Sequence, residues 1–185
     1  GRWIFRQAVL QCREWMKTLP DFLMSINLSY LQVVEADFVN FISEVLRETG
    51  VPCENLLLEL TETYLIREQN QVNEKFRTIQ EMGISVAMDD FGTGNASLQL
   101  ILELPLDEIK IDRSFVQNIQ NHPMNQIIVS AIADGARTIH ADICIEGIED
   151  QALELYLQQY HPTYYQGYYY SKPVAKGDFL SLISS

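Results

Sequence analysis

Residues 84–94, ISVAMDDFGTG, decide how the fold is read. Residues 84–88 are a run of strand length that is almost wholly apolar. It leads without a spacer into Asp89 and Asp90, and then into the glycine-bearing turn Phe91-Gly92-Thr93-Gly94-Asn95. A strand that is apolar on both faces belongs in a parallel sheet covered by helices. Just upstream, residues 69–82 carry Val72, Phe76, Ile79 and Met82 at helical spacing and stop at Gly83. Just downstream, residues 97–103 predict a short helix before a strand at 108–112, EIKID.

The same alternation extends outward in both directions. Toward the N-terminus lies a strand at 56–60 (LLLEL). Before it comes a helix with Asp37 as N-cap, Phe38, Phe41, Ile42, Val45 and Leu46 facing inward, and Gly50 as its stop. A strand at 22–28 (FLMSINL) follows a helix over 3–17 that places Trp3, Ala8, Cys12, Trp15 and Met16 near one face. Toward the C-terminus come a helix over 124–139, a strand at 142–146 (DICIE), a helix over 149–160, a strand at 163–169 and a helical tail over 176–184. About six alternating strand–helix units imply a parallel sheet with crossover helices. No glycine-rich nucleotide loop follows the first strand, which weighs against an open dinucleotide fold. A complete eight-unit barrel takes about 250 residues. The 185 residues here therefore predict a single α/β domain, 1–185, one or two units short of a barrel.

Composition narrows the function. A net charge of −12 excludes a nucleic-acid polymer as partner, because phosphate backbones are bound through Lys and Arg. It does not exclude a small phosphate ester bound through cations that carboxylates hold. No apolar stretch reaches the about 18 residues of a membrane span, and no secretory signal is visible. The three cysteines, Cys12, Cys53 and Cys144, are odd in number and widely spaced, so they read as reduced cytoplasmic thiols. His122, His140 and His161 lack metal-ligand spacing, and two of them precede prolines. Tyr164, Tyr165, Tyr168, Tyr169 and Tyr170 read as strand formers packing on both faces of the last strand.

Position carries the chemistry. In parallel α/β folds, ligands bind beyond the carboxyl ends of the strands. Here those ends deliver Asn27, then Glu59 followed by Glu62, then Asp89 and Asp90. Next come Lys110 and Asp112 on one face by the period of two, then Glu146 followed by Glu149, and finally Gln166. Any one of these has a plainer reading as a cap, a loop charge or an edge lysine. Together they converge. Like charges about 4 Å apart cost roughly 4 kcal/mol per pair at an effective dielectric of 20, so such a cluster must be protonated or hold cations. An oxygen-only donor set suits Mg²⁺ or Mn²⁺ rather than zinc. Adjacent aspartates suit two ions, one carboxylate bridging both and the other binding one, which is the arrangement for in-line phosphodiester cleavage. In that setting Lys110 is placed to orient or help deprotonate the attacking water and to neutralise developing charge. The turn after Asp90 is either a plain βα turn or a loop that positions the aspartates.

SINLS (25–29), LELTE (58–62), DDFGTG (89–94), KIDRSFV (110–116), EGIE (146–149) and QGYYYSKP (166–173) resemble, in order and spacing, the motifs of EAL-domain cyclic-di-GMP phosphodiesterases. The resemblance implies a TIM-like (β/α) barrel and hydrolysis of the bacterial second messenger cyclic-di-GMP to linear pGpG with two Mg²⁺ or Mn²⁺ ions, Ca²⁺ being inhibitory. It implies Asn27, Glu59 and Asp89 around one ion and Asp89, Asp90 and Glu146 around the other. Lys110 would act on the water, Glu62 would anchor the DDFGTG loop, and Glu149 and Gln166 would support them. Asp112 and Pro173 would lie on the guanine side. It further implies a homodimer and fusion to a sensory or GGDEF-type domain. The family's opening Glu-Ala-Leu strand has no counterpart here, and Gly1-Arg2-Trp3-Ile4-Phe5 resembles the helix that follows it. Asn95-Ala96 and Ile145 depart from the residues usual in the family. The alternative to an enzyme is an inactive EAL domain serving as a cyclic-di-GMP receptor or protein-interaction module.

Overall fold

The computed structural model describes residues 1–61, 69–93 and 104–183. The predicted helix at 97–103, together with Glu62, Gly94 and Asn95, lies outside the described residues. The described elements are, in order, α1 (Arg2–Met16), β1 (Met24–Leu28), α2 (Tyr30–Val33), α3 (Phe38–Thr49), β2 (Leu56–Thr61), α4 (Gln69–Glu81) and β3 (Ser85–Phe91). They continue with β4 (Glu108–Ile111), α5 (Arg113–Val116), α6 (Pro123–Thr138), β5 (Asp142–Glu146), α7 (Gln151–Leu157), β6 (Tyr164–Gln166) and α8 (Phe179–Ile183). All the strand pairings are parallel, in the order β1-β2-β3-β4-β5-β6. Apart from the undescribed segment between β3 and β4, the described elements follow the alternation read from the sequence, laid out as part of an α/β barrel.

Strand periodicity gives the sheet two unlike faces. Ile26, Leu28, Leu58, Leu60, Val86, Met88, Ile109, Ile111, Ile143 and Ile145 are buried in the main core. The alternate residues, among them Asn27, Glu59, Asp89, Lys110 and Glu146, take the other face. The helices cover the apolar side through stripes at helical spacing. These are Phe38, Ile42, Val45 and Leu46 on α3, and Val129, Ile132, Ala133 and Ala136 on α6. Pro123 opens α6 at its first turn, where a missing N–H costs nothing.

Several local expectations change. Helix α1 buries Phe5, Val9 and Cys12, whereas Trp3 is 73% exposed, so its inward stripe is rotated from the one expected. Arg2 fixes this rotation by reaching Glu35 and Asp37 and lying 5.0 Å from the centre of the Phe41 ring. Asp37 does occupy the N-cap position of α3, but its side chain makes no cap hydrogen bond; Arg2 has taken the carboxylate. Strand β1 starts at Met24 rather than residue 22. The Phe22 and Pro20 carbonyls instead accept hydrogen bonds from the buried Asn55 amide, at 2.9 and 3.2 Å. Strand β6 is only three residues long, and Tyr168, Tyr169 and Tyr170 form an exposed turn instead of continuing it.

The two ends of the strand order approach one another on the outside of the sheet. Phe179 of α8, which follows β6, packs on Trp15 of α1 at 4.3 Å and on Phe22, just before β1, at 5.6 Å. Trp15 and Phe22 meet edge-on at 5.3 Å. Such a three-ring contact between chain-distant segments requires the sheet to curl. Among the described residues no helix is long and apolar enough to cross a membrane. Because Phe179 is partly buried, Phe179→Ala is expected to cost about 1–2 kcal/mol, below the figure for a fully buried ring. Equilibrium urea unfolding checks this, and an unchanged midpoint would mean that α8 contributes nothing to closing the fold.

Candidate functional site

Strand β4 places Lys110 at the centre of the inner face, where it is only 4% exposed. Its Nζ lies 2.7 Å from Glu146 Oε1, 3.0 Å from Asp89 Oδ1 and 3.1 Å from Glu59 Oε1. These carboxylates come from β5, β3 and β2. In a flat sheet β2 and β4 are two strand spacings apart, about 9.5 Å. The curl and the inward-pointing side chains close that gap. Burial pulls the Lys110 ammonium down, but its hydrogen bond to Glu146 and the charges of Glu59, Glu146 and Asp89 outweigh burial and hold it above the ordinary lysine value. Lys110 is therefore a fixed cation and not a free base. Of its two sequence readings, edge lysine or buried strand residue, the second holds.

The adjacent aspartates reach one site because the strand is broken between them. In a regular strand Asp89 and Asp90 would point to opposite faces. The β3–β4 register shifts between Met88 and Phe91, and Asp90 takes a left-handed φ of 54°. This bulge turns both carboxylates to the same mouth, a recurrent device beside active sites. Asp89, Asp90 and Glu146 then offer oxygens that all lie within 4.8 Å of one another. Burial and the neighbouring charge of Asp89 push Asp90 above the usual carboxylate range. Burial also raises Glu146, although Lys110 opposes it. Among the described residues Asp89 Oδ1 is buried and accepts no hydrogen bond, its one close partner being the Lys110 ammonium at 3.0 Å. A hard divalent cation fits this group: the donors are all oxygens, negative charge exceeds the single ammonium, and one buried oxygen lacks a donor.

Gly92 completes the bulge. Its φ is 92°, and a Cβ there would lie 2.9 Å from the Phe115 ring, so both backbone and space demand glycine.

The other expected site residues are distributed as follows. Asn27 is the register neighbour of Glu59 on edge strand β1 and is exposed. Gln166 pairs with Glu146 on β6. Gln166 and Pro173 line one cavity of about 340 Å³, together with Lys172 and Phe179. Gly167 fixes this wall, because a Cβ at that position would lie 2.1 Å from the Ile148 carbonyl oxygen. Asp112 is not the last residue of β4. It caps α5, its Oδ1 accepting the Ser114 N–H at 3.0 Å, and its charge still reaches Asp90. Glu149 is exposed and stands outside the carboxylate group, in a separate cavity of about 440 Å³ that includes Asn118 and Leu153.

The sequence reading passed over Glu108. It lies two residues before Lys110 on the same face, is 6% exposed and is pushed up to about 7 by burial and by the charge of Glu59. The signal was present in EIKI, where polar residues alternate with isoleucines. One row nearer the mouth than Glu108, Cys144 sits opposite Lys110 in register, its thiol raised to about 12 by burial and by Glu108.

Two outcomes follow for the metal-free protein. Between its unfolded value of 4.5 and about 7, Glu108 binds more protons folded than unfolded, so stability falls as pH rises through that window. Glu108→Gln should remove a penalty on the order of 2 kcal/mol at pH 8 and leave pH 4 nearly unchanged. Urea unfolding in EDTA at both pH values measures this, and a variant less stable than wild type at pH 8 would contradict it. Gly92→Ala should lose about 2 kcal/mol or more, from left-handed strain and the Phe115 collision, by the same measurement.

The EAL domain family model matches residues 1–173. Signaling protein YkoW of Bacillus subtilis is 31% identical over 183 residues, 99% of this chain and 23% of its own length. The bifunctional diguanylate cyclase/cyclic di-GMP phosphodiesterase MucR of Pseudomonas aeruginosa is 30% identical over all of this chain and 27% of its own length. The chain thus spans about a quarter of these relatives. A solved PaMucR phosphodiesterase in complex with c-di-GMP superposes with a TM-score of 0.89 at 30% identity, over 97% of this chain and 73% of that one. Klebsiella pneumoniae BlrP1, solved as a calcium/c-di-GMP complex, gives 0.86 at 25% identity, over 95% and 44%. With its motifs in place and the match running through nearly its whole length, the chain belongs to the EAL domain family.

Proposed function

We propose that this chain is the cyclic-di-GMP phosphodiesterase unit of a longer bacterial signalling protein and hydrolyses cyclic-di-GMP to linear pGpG. The observation that carries this reading is the buried Lys110 ammonium ringed by Glu59, Asp89 and Glu146, with Asp90 turned to the same mouth by the bulge. Asn27, Glu59 and Asp89 would hold one divalent cation, Mg²⁺ or Mn²⁺, and Asp89, Asp90 and Glu146 a second. Bound there, two such ions supply the positive charge that stabilises the attacking and leaving oxygens of an in-line displacement.

The chain's own residues account for the rest. Lys110 would act on the attacking water and offset negative charge growing at phosphorus. Water oxygen bonds to phosphorus as the P–O3′ bond breaks; the water gives up one proton to solvent and the leaving O3′ takes one up from solvent, so the step balances. Glu62 would anchor the loop after Asp90, and Glu149, which stands outside the carboxylate group, would support the substrate rather than the cations. Gln166, Pro173 and Asp112 lie on the base side of the substrate; the first two already share a cavity wall. With net charge −12, this surface does not attract a diester by itself, so recognition depends on the cations. The parent protein is cytoplasmic in this part, works as a homodimer and joins this unit to a sensory or GGDEF-type domain.

In the parent protein assayed with Mn²⁺ or Mg²⁺, Asp89→Asn or Lys110→Ala should lower pGpG formation by roughly 100-fold or more, as loss of a charge-stabilising group does elsewhere. Chromatography of the products measures this, and undiminished turnover in either variant rejects the roles given. With Ca²⁺ the parent should bind cyclic-di-GMP without forming pGpG. Tight binding without product in Mg²⁺ as well would make the domain a receptor.

A further inference from the structure

Lys110 has a difficulty that the cation-bound state would create. Its three partners, Glu59, Asp89 and Glu146, are the residues assigned above to the cations. A lysine this buried cannot lose its counter-ions without a large penalty, because an unpaired buried charge costs several kcal/mol. A further carboxylate within reach would relieve that penalty.

Glu108 meets the requirement. It shares the inner face of β4 with Lys110, two residues and therefore about 6.6 Å away along the strand, within the combined reach of the two side chains. It is 94% buried, and it makes no hydrogen bond or ion pair among the described residues. In register, Glu108 stands opposite Ala87, which itself stands opposite Glu59, so only a methyl group lies between the two glutamates on that row. Of the other carboxylates near Lys110, Asp112 is committed to capping α5 through the Ser114 N–H at 3.0 Å, and Asp142 is the register partner of Glu108. Asp142 is exposed and already accepts the Thr163 hydroxyl at 2.9 Å. Cys144, opposite Lys110, is a neutral thiol. We propose that Glu108 is a positioning residue for Lys110, the carboxylate to which the ammonium turns when divalent cations occupy Glu59, Asp89 and Glu146. Glu108 is then a burden in the metal-free protein, where Lys110 is fully engaged elsewhere. It becomes the partner that keeps the lysine charged and in place once its first partners are taken. The proposal rests on the cation reading of the site given above.

A double-mutant cycle on cation affinity tests it. Mg²⁺ binding is measured by calorimetry in wild type, Glu108→Gln, Lys110→Met and the double variant, each first shown to be folded by its unfolding curve in EDTA. Glu108→Gln should weaken Mg²⁺ binding about 10-fold when Lys110 is present, and less than about 2-fold when position 110 is methionine. Equal losses in the two backgrounds would show only the general field of a lost carboxylate and overturn the proposal, as would no loss in either. Absence of Mg²⁺ binding in all four proteins, wild type included, would overturn the cation reading itself, a failure distinct from the first two.

Discussion

The site depends on one constraint: a single buried ammonium must satisfy carboxylates carried by three other strands. Lys110 reaches Glu59, Asp89 and Glu146 at 2.7–3.1 Å. A buried ion pair of this kind is a weak source of stability, because desolvation consumes most of the Coulombic gain. It is a strong source of specificity. The carboxylates meet at one nitrogen only if the sheet curls, and the sheet curls only if the helices on its other face fill the space that curvature opens. Phe38, Ile42, Val45, Val129 and Ile132 provide that filling. The apolar layer thus fixes the geometry of a polar centre with which it shares no residue.

Much of this was legible in the sequence because two periodicities were clean. In β4 and β5 isoleucines at every second position marked the covered face and the residues between them the inner one, while in the other strands the polar residues at the carboxyl ends marked the mouth. Of the residues expected at the strand ends, Glu59, Asp89 and Glu146 gather around Lys110, with Asp90 beside them, whereas Asn27 and Glu149 are exposed and Glu149 stands apart. The motif order also led to the family that the comparisons establish. Asn27 was placed next to Glu59, and Gln166 next to Glu146, by nothing more than which strands are neighbours.

What the sequence hid was decided by contacts between distant segments or by backbone irregularity. The stripe of α1 was misjudged because Arg2, thirty-odd positions from its acidic partners, sets the rotation of that helix. The start of β1 was misjudged because Asn55 claims the carbonyls before it. The run of tyrosines has strand propensity but turns after Gln166, since the chain must fold back against Ile148. The bulge at Asp90 could be guessed from an aspartate pair leading into glycine, yet its effect on side-chain direction depends on a register shift that no local pattern encodes. Glu108 escaped notice because a glutamate at the start of a strand ordinarily reads as a solvated end.

The close approach at Gly167 has a mechanical meaning. The Ile148 amide donates to the Gln166 carbonyl at 3.1 Å, and the Ile148 carbonyl accepts from Tyr169 at 2.9 Å, so the two loops are stitched on both sides of a glycine that leaves no slack. One loop carries Glu146 at its root, and the other forms the wall beside Pro173. They behave as a single rigid bracket. Pressure applied to that wall is delivered to the glutamate two residues from the stitch, and a displaced glutamate tugs the wall in return.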